Sequence, residues 1–358
     1  MSDIIVDLNN RSYKIIVENG AINSFSNYLI HNASVKNLVI ISHELLMKNY
    51  GLKLKNNLEN SGYEVVEIIL PDGDDSKDLK IYNEIITKMI DSNCDRTSVV
   101  IALGGGVVGD ISGFVASSFM RGIKYYQVPT TLLAMVDSSI GGKTGLNFSK
   151  KKNIVGSIYQ PVSVVVDPDL LNTLPFSEKV SGLGEIIKYG AIKDRGFLNN
   201  LYEWVKDIEN FPYTKAIERC CQIKAEIVTK DENETDLRRI LNFGHTIGHA
   251  LESHLGYKMI KHGEAVSLGM KCSAWISHKK GLLNTEDYNL LIETINRLPL
   301  PKISALDPEK IMHYINFDKK NENGILNFIL LNGLGKAIVT QDVSSFEILE
   351  SIKVLHEY

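Results

Sequence analysis

The sequence predicts an α/β N-terminal domain built on a Rossmann-like parallel sheet, followed by a mainly α-helical C-terminal domain. Three observations predict it. Short β-rich runs alternate with stretches of helical period in the first half; a glycine cluster directly follows one of those runs; and from Glu178 to Asp318 the pattern is almost entirely helical. The division falls at about residue 175, giving domains 1–175 and 176–358. A chain of 358 residues exceeds the usual size of a single core, which fits two domains.

Taken in order, residues 3–7 (DIIVD) and 13–17 (YKIIV) flank a polar LNNRS and predict an opening hairpin. NLVII at 37–41, EVVEIIL at 64–70, TSVVIAL at 97–103, IKYYQV at 123–128 and VSVVVD at 162–167 read as further strands. Lys77 to Ile90 carries Leu79, Ile81, Ile85, Ile86 and Met89 at helical spacing, and strand–helix alternation of this kind implies a parallel sheet covered on both faces. ILNFILL at 325–331 and GKAIVT at 335–340 predict a closing hairpin in the second domain.

Composition excludes several classes. A hydrophobic content of 44%, a charged content of 23% and a net charge of −4 describe a soluble globular protein without a nucleic-acid surface. The N-terminus lacks a basic segment followed by an apolar core, and no apolar stretch reaches the length of a membrane span, so a cytoplasmic protein is expected. Cys94, Cys220, Cys221 and Cys272 have neither disulfide-framework nor CxxC spacing.

Directly after TSVVIAL, Gly104, Gly106 and Gly109 meet the spacing of a dinucleotide fingerprint between a strand and a helix, where backbone N–H groups can hold a pyrophosphate. The loop follows about the third strand rather than the first, and no acidic residue lies roughly 20 positions on, so a nucleotide would sit in a different arrangement of the sheet. Farther on, Asp137, Lys143, Lys152 and Asn153 lie among Gly141, Gly142 and Gly145 in what reads as an anion-binding loop, the alternative being a solvent-exposed lysine in a mobile loop. It does not match a P-loop.

Residues 235–270 hold the densest chemistry. A helix turns about 100° per residue, so on one continuous helix Arg238, Asn242, His245 and His249 would form a stripe roughly 60° wide, set among apolar neighbours and facing a cavity. His245 and His249 have a spacing that can hold a divalent metal, but Thr246 stands where the zincin pattern needs glutamate. His262, in HGEAV at the start of the next predicted helix, and Glu185, in GLGEIIKYG, are candidates to complete a three-ligand site with an open position. The alternative is a pair of buried, hydrogen-bonded histidines. Lys188, one turn after Glu185, can support the metal ligand, meet an acidic substrate, or form an ordinary intrahelical ion pair.

Together these stretches resemble the 3-dehydroquinate synthase family, within the sugar phosphate cyclases. The resemblance is carried by GGGVVGDISGFVASSFMRG, VPTTLLAMVDSSIGGKTGLN, KKNIVGSIYQP, GLGEIIKYG, CQIKAEIVTKDENE, LNFGHTIGHALE and HGEAVSLGM, in family order over about residues 70–335. It implies a divalent metal, zinc or cobalt, on Glu185, His245 and His262, with His249 left to substrate chemistry. It implies substrate contacts from Asp137, Lys143, Lys152, Asn153, Lys188, Lys224, Arg238, Asn242 and His249, and from one of Lys319 and Lys320. Arg121 would reach the phosphate of the partner subunit, which implies a homodimer. NAD would contact Asp74, Lys77, Gly105, Gly106, Val107, Asp110, Thr130, Thr131, Lys143, Lys152, Thr173 and Leu174.

The sequence departs from the family pattern at His43 and Leu45, where an acidic residue and an asparagine usually meet the adenosine ribose, and at Asp74, Ser177 and Asp236. By resemblance the activity is the NAD- and metal-dependent cyclisation of 3-deoxy-D-arabino-heptulosonate 7-phosphate with loss of phosphate. A sibling cyclase using a substrate without a carboxylate, a metal-dependent NAD polyol dehydrogenase, and a non-catalytic nucleotide-binding protein are the alternatives at this point.

Overall fold

The computed structural model describes residues 2–29, 35–73, 76–149, 151–256, 259–303, 306–321 and 326–357, with the backbone alone at 2, 316–321 and 356–357. The chain opens with β1 (Ser2–Val6) and β2 (Tyr13–Val17), the antiparallel hairpin that the sequence predicts. Next come β3 (Asn37–His43), a short α1 (Glu44–Leu46) continuing through a π turn into α2 (Leu52–Asn60), β4 (Glu64–Leu70), α3 (Leu79–Asp91), β5 (Val99–Gly104) and α4 (Gly106–Ser118). Then β6 (Lys124–Pro129), β7 (Lys143–Phe148), β8 (Lys151–Ile158) and β9 (Ser163–Val166) lead to the helices α5 (Phe176–Lys193), α6 (Arg195–Trp204) and α7 (Tyr213–Lys230). The remainder is α8 (His245–Leu255), α9 (His262–Lys279), α10 (Thr285–Asn296), α11 (Pro308–Asn321), the hairpin β10 (Phe328–Leu331) and β11 (Ala337–Thr340), and α12 (Ser345–Lys353).

By internal contacts the chain forms two units, one of Met1–Leu174 with Tyr213–Glu232 and one of Pro175–Pro212 with Asn233–Tyr358. The first is built on a seven-stranded sheet in the order β1-β2-β9-β6-β5-β3-β4, parallel throughout except for β1 against β2. Its central strands are apolar on both faces, as β5 (VVIALG) and β9 (SVVV) are wholly buried, which is the signature of a parallel sheet covered on both sides. Helix α7 packs beside β1 although it lies between helices of the second unit in sequence, and Asp7 N–H donates to Thr229 Oγ1 at 3.0 Å.

Two sequence expectations are corrected in this unit. The segment holding Lys143, Lys152 and Asn153, read from sequence as a loop, is a β-hairpin of β7 and β8 that forms its own two-stranded sheet. The period-2 signal was weak there because β8 is exposed along most of its length. Asp137 sits earlier, in a π-helical turn, Ala134–Ser138.

The second unit is helical around a core that includes Ile247, Leu251, Leu268, Cys272, Ile276 and Ile311. Here the expectation of one continuous helix from Arg238 to His249 fails. Leu237–Asn242 is a 3-10 helix, the chain turns at Gly244 with φ of +82°, and α8 begins only at His245. A side chain at Gly244 would strike the backbone of Val266 and Met270, so glycine is required both for the turn and for the close packing. Among the described residues no helix is long and apolar enough to cross a membrane. All four cysteines are buried and none is in a disulfide, and burial pushes the Cys221 and Cys272 thiols up to about 12, which leaves them inert.

Candidate active site

In the α/β unit, β5 ends at Gly104 and α4 starts at Gly106 with Gly105 as its N-cap. No side chain caps that helix, so its first N–H groups, on and beside Gly106 and Val107, are available to an anion. A Cβ at Gly109 would lie 2.8 Å from the Gln127 side chain on β6, so this glycine serves helix–strand packing. Thr130 donates its N–H to the Gly104 carbonyl at 3.0 Å, and Thr131 packs on Gly105. The sequence-derived cofactor residues Gly105, Gly106, Thr130 and Thr131 are therefore neighbours.

Lys77 Nζ donates to Asp110 Oδ2 at 2.5 Å and to Asn153 Oδ1 at 2.6 Å, joining the segment before α3, the first turns of α4 and β8. Asp110, Lys143, Gly145 and Asn153 line a cavity of about 400 Å³. Asn153 is held with φ of +55°, a conformation tolerated by asparagine and costly for most residues. Lys143 and Lys152 are exposed on the hairpin. Lys224 on α7 is buried and donates to Asp137 Oδ1 at 2.6 Å and to the Asp137 carbonyl at 2.5 Å. Thr173 Oγ1 lies 2.5 Å from Tyr50 Oη, and Leu174 ends the same 3-10 turn. Arg121 is exposed on a turn where Met120, Arg121 and Gly122 all have positive φ. Asp74 lies outside the described residues, as do the side chains of Lys319 and Lys320.

In the helical unit the metal candidates converge. Glu185 on α5 is fully buried, and its Oε1 lies 3.7 Å from His245 Nε2 and 3.6 Å from His262 Nε2. Those separations are too long for hydrogen bonds, and Oε1 accepts none among the described residues. Two ligands about 2.1 Å from a tetrahedral zinc lie roughly 3.4 Å apart, so a divalent ion fits where Oε1 and the two Nε2 atoms meet. The other carboxylate oxygen, Oε2, pairs with Lys188, itself 1% exposed.

His245 Nδ1 is 3.2 Å from the Phe243 carbonyl, which can only accept, so the neutral ring carries its proton there and offers Nε2 to a metal. His249, one turn along α8, is more exposed, and its ligand atom comes within 4.8 Å of those of His245 and His262. Burial lowers the His262 pKa, but the Glu252 hydrogen bond and the charges of Glu185 and Glu252 outweigh it and leave the pKa raised.

Asn242, His245 and His249 line a cavity of about 470 Å³ together with Arg239, Thr246 and Glu234. Asn242 Nδ2 donates to Glu234 Oε1 at 2.7 Å, while Arg238 is buried in the same 3-10 turn. Sequence reasoning did not single out Glu252. Its spacing of seven from His245, two full helical turns, was the available signal.

A glycine-fingered parallel α/β unit and a helical unit carrying a carboxylate–imidazole cluster fit for a divalent ion define a class of nucleotide- and metal-using enzymes. The comparisons narrow this. The 3-dehydroquinate synthase N-terminal family model matches residues 67–181 and the C-terminal one residues 182–321. The chain is 40% identical over 366 residues, covering 100% of both sequences, to the 3-dehydroquinate synthase of Thermodesulfovibrio yellowstonii. Among solved structures it matches 2-epi-5-epi-valiolone synthase from Streptomyces hygroscopicus subsp. jinggangensis with NAD+ and Zn2+ bound (TM-score 0.86, 27% identity, 98% of each chain). It also matches 2-deoxy-scyllo-inosose synthase complexed with carbaglucose-6-phosphate, NAD+ and Co2+ (TM-score 0.89, 25% identity, 99% of each chain). The chain belongs to the 3-dehydroquinate synthase family.

Proposed function

We propose that the chain is a cytoplasmic, homodimeric 3-dehydroquinate synthase, converting 3-deoxy-D-arabino-heptulosonate 7-phosphate to 3-dehydroquinate and phosphate in aromatic amino-acid biosynthesis. The observation that carries this reading is the buried Glu185 carboxylate facing two imidazole nitrogens at 3.6 and 3.7 Å, in a chain that matches a synthase end to end. The sibling cyclases are matched at 27% and 25% identity, against 40% for the synthase.

NAD on the α/β unit and a divalent metal on Glu185, His245 and His262 supply, when bound, reversible hydride exchange and polarisation of substrate hydroxyls. Gly105, Gly106 and Val107 present N–H groups to the dinucleotide, Thr130 and Thr131 fix that turn, and Lys77 and Asp110 hold its rim. Asp74, Thr173 and Leu174 complete the cofactor contacts. Lys143, Lys152, Asn153, Lys188, Lys224 and Arg238 bind the carboxylate, hydroxyls and phosphate of the substrate. A protein of net charge −4 must concentrate cations locally to hold such an anion. Asp137 keeps the Lys224 ammonium in place. His249 and Asn242, on the wall of one cavity, move and steer protons at the ring oxygen and hydroxyls. Arg121 serves the partner's phosphate site, for which its exposed, left-handed turn suits it.

The test is purified protein with substoichiometric NAD, a divalent metal and the heptulosonate phosphate. Release of phosphate and dehydroquinate in many turnovers per NAD is expected. Accumulation of reduced nicotinamide in step with substrate would instead indicate a polyol dehydrogenase. No release from folded, metal-loaded protein overturns the proposal, as does preference for a sugar phosphate lacking the carboxylate.

A further inference from the structure

Glu252 lies on α8 seven residues after His245 and three after His249, so all three side chains share one helix face. Its side chain is only 9% exposed, and Oε2 lies 3.4 Å from His262 Nδ1. The opposite nitrogen of that ring, Nε2, is the one 3.6 Å from Glu185 Oε1. The imidazole is thus gripped from behind by a carboxylate while its other nitrogen faces the metal position. A carboxylate in the last turn of a helix is opposed by the helix dipole, and burial adds a desolvation cost. The His262 N–H is a partner that helps to offset both.

We propose that Glu252 is a positioning residue of the metal centre: by accepting a hydrogen bond from the Nδ1–H of His262 it fixes the tautomer and ring orientation that make His262, rather than the adjacent His249, the third ligand. This rests on the metal reading given above. His245 reaches the same tautomer through a neutral carbonyl, Phe243, so the two imidazoles are held by different means. A carboxylate partner also makes the ring a stronger donor to a cation than a carbonyl does.

The test is a cobalt(II) titration of metal-free protein, following the visible absorption of the bound ion and its affinity. Glu252→Gln, equal in size and still offering an acceptor oxygen, is expected to weaken binding roughly 10- to 100-fold and to alter the cobalt spectrum. Glu252→Leu, which removes the acceptor, should weaken it further. Neither should change NAD affinity, a readout that a merely damaged fold would move. If Glu252→Leu does not fold, Glu252→Gln decides the matter. Wild-type affinity and spectrum in Glu252→Gln overturn the proposal. His262→Ala separates the two levels: loss of cobalt in His262→Ala but not in the Glu252 variants sinks only the role of Glu252. Retention of cobalt at wild-type affinity in His262→Ala sinks the ligand assignment itself.

Discussion

At the scale of single residues, the histidines of the helical unit divide by what their ring nitrogens face. His245 and His262 each turn Nε2 to the same buried carboxylate oxygen, whereas His249 is more exposed on the cavity wall. His262→Ala is therefore expected to lose bound metal, measured by elemental analysis after dialysis. His249→Ala should keep the metal and lose turnover by about 10²- to 10⁴-fold, the usual range for a lost proton-transfer group. Equal metal content in wild type and His262→Ala would refute the assignment. The sequence showed these residue types and the spacing of the two histidines on α8. It could not show that Glu185, 60 positions before His245, meets them, because nothing local connects the two.

At the scale of elements, the metal candidates are set by backbone-to-backbone packing of α5 and α9. A Cβ at Gly263 would lie 1.8 Å from the Ser181 carbonyl oxygen, and one at Gly184 would lie 2.3 Å from the Gly263 carbonyl oxygen. These glycines immediately precede Glu185 and follow His262, so the close crossing is what brings the two side chains together. Gly263→Ala should force the helices apart, costing about 1–3 kcal/mol by overpacking and lowering metal content, read by thermal unfolding and cobalt titration. Unchanged metal affinity would show that the crossing does not set the site. The β7–β8 hairpin was illegible for a related reason. Its exposed strand buries too little apolar surface to leave an alternating pattern, while the wholly buried β5 was plain.

For the whole molecule, His262 as the proposed third ligand would bind protons and metal in competition. In the metal-free protein its raised pKa means that this group's contribution to stability is fully present below the unfolded pKa and fades as pH rises through the folded value. The loaded centre needs the neutral ring, so metal affinity falls as pH drops through that same raised value. The rise in melting midpoint on adding zinc should accordingly be larger at about pH 8 than at about pH 6. A gain independent of pH would contradict it.

Assembly gives a second whole-molecule prediction. If Arg121 acts across a dimer, mixing inactive Arg121→Ala with inactive His249→Ala restores about a quarter of the wild-type activity, since half the dimers are mixed and each carries one intact site. No recovery after confirmed subunit exchange would place Arg121 in its own subunit's site or outside the chemistry.

The sequence by itself determined the buried strands of the first half and the helix α3, the glycine turn before α4, the change of character near residue 175 and the family, because each is written in local periodicity or in motifs short enough to read. Only the tertiary structure decided that the helix read from Arg238 to His249 is broken at Gly244, that α7 packs with the strands, and that Glu252 stands behind His262. Those outcomes depend on close approach between segments far apart in the chain, where steric fit at a single glycine or carboxylate overrides local propensity.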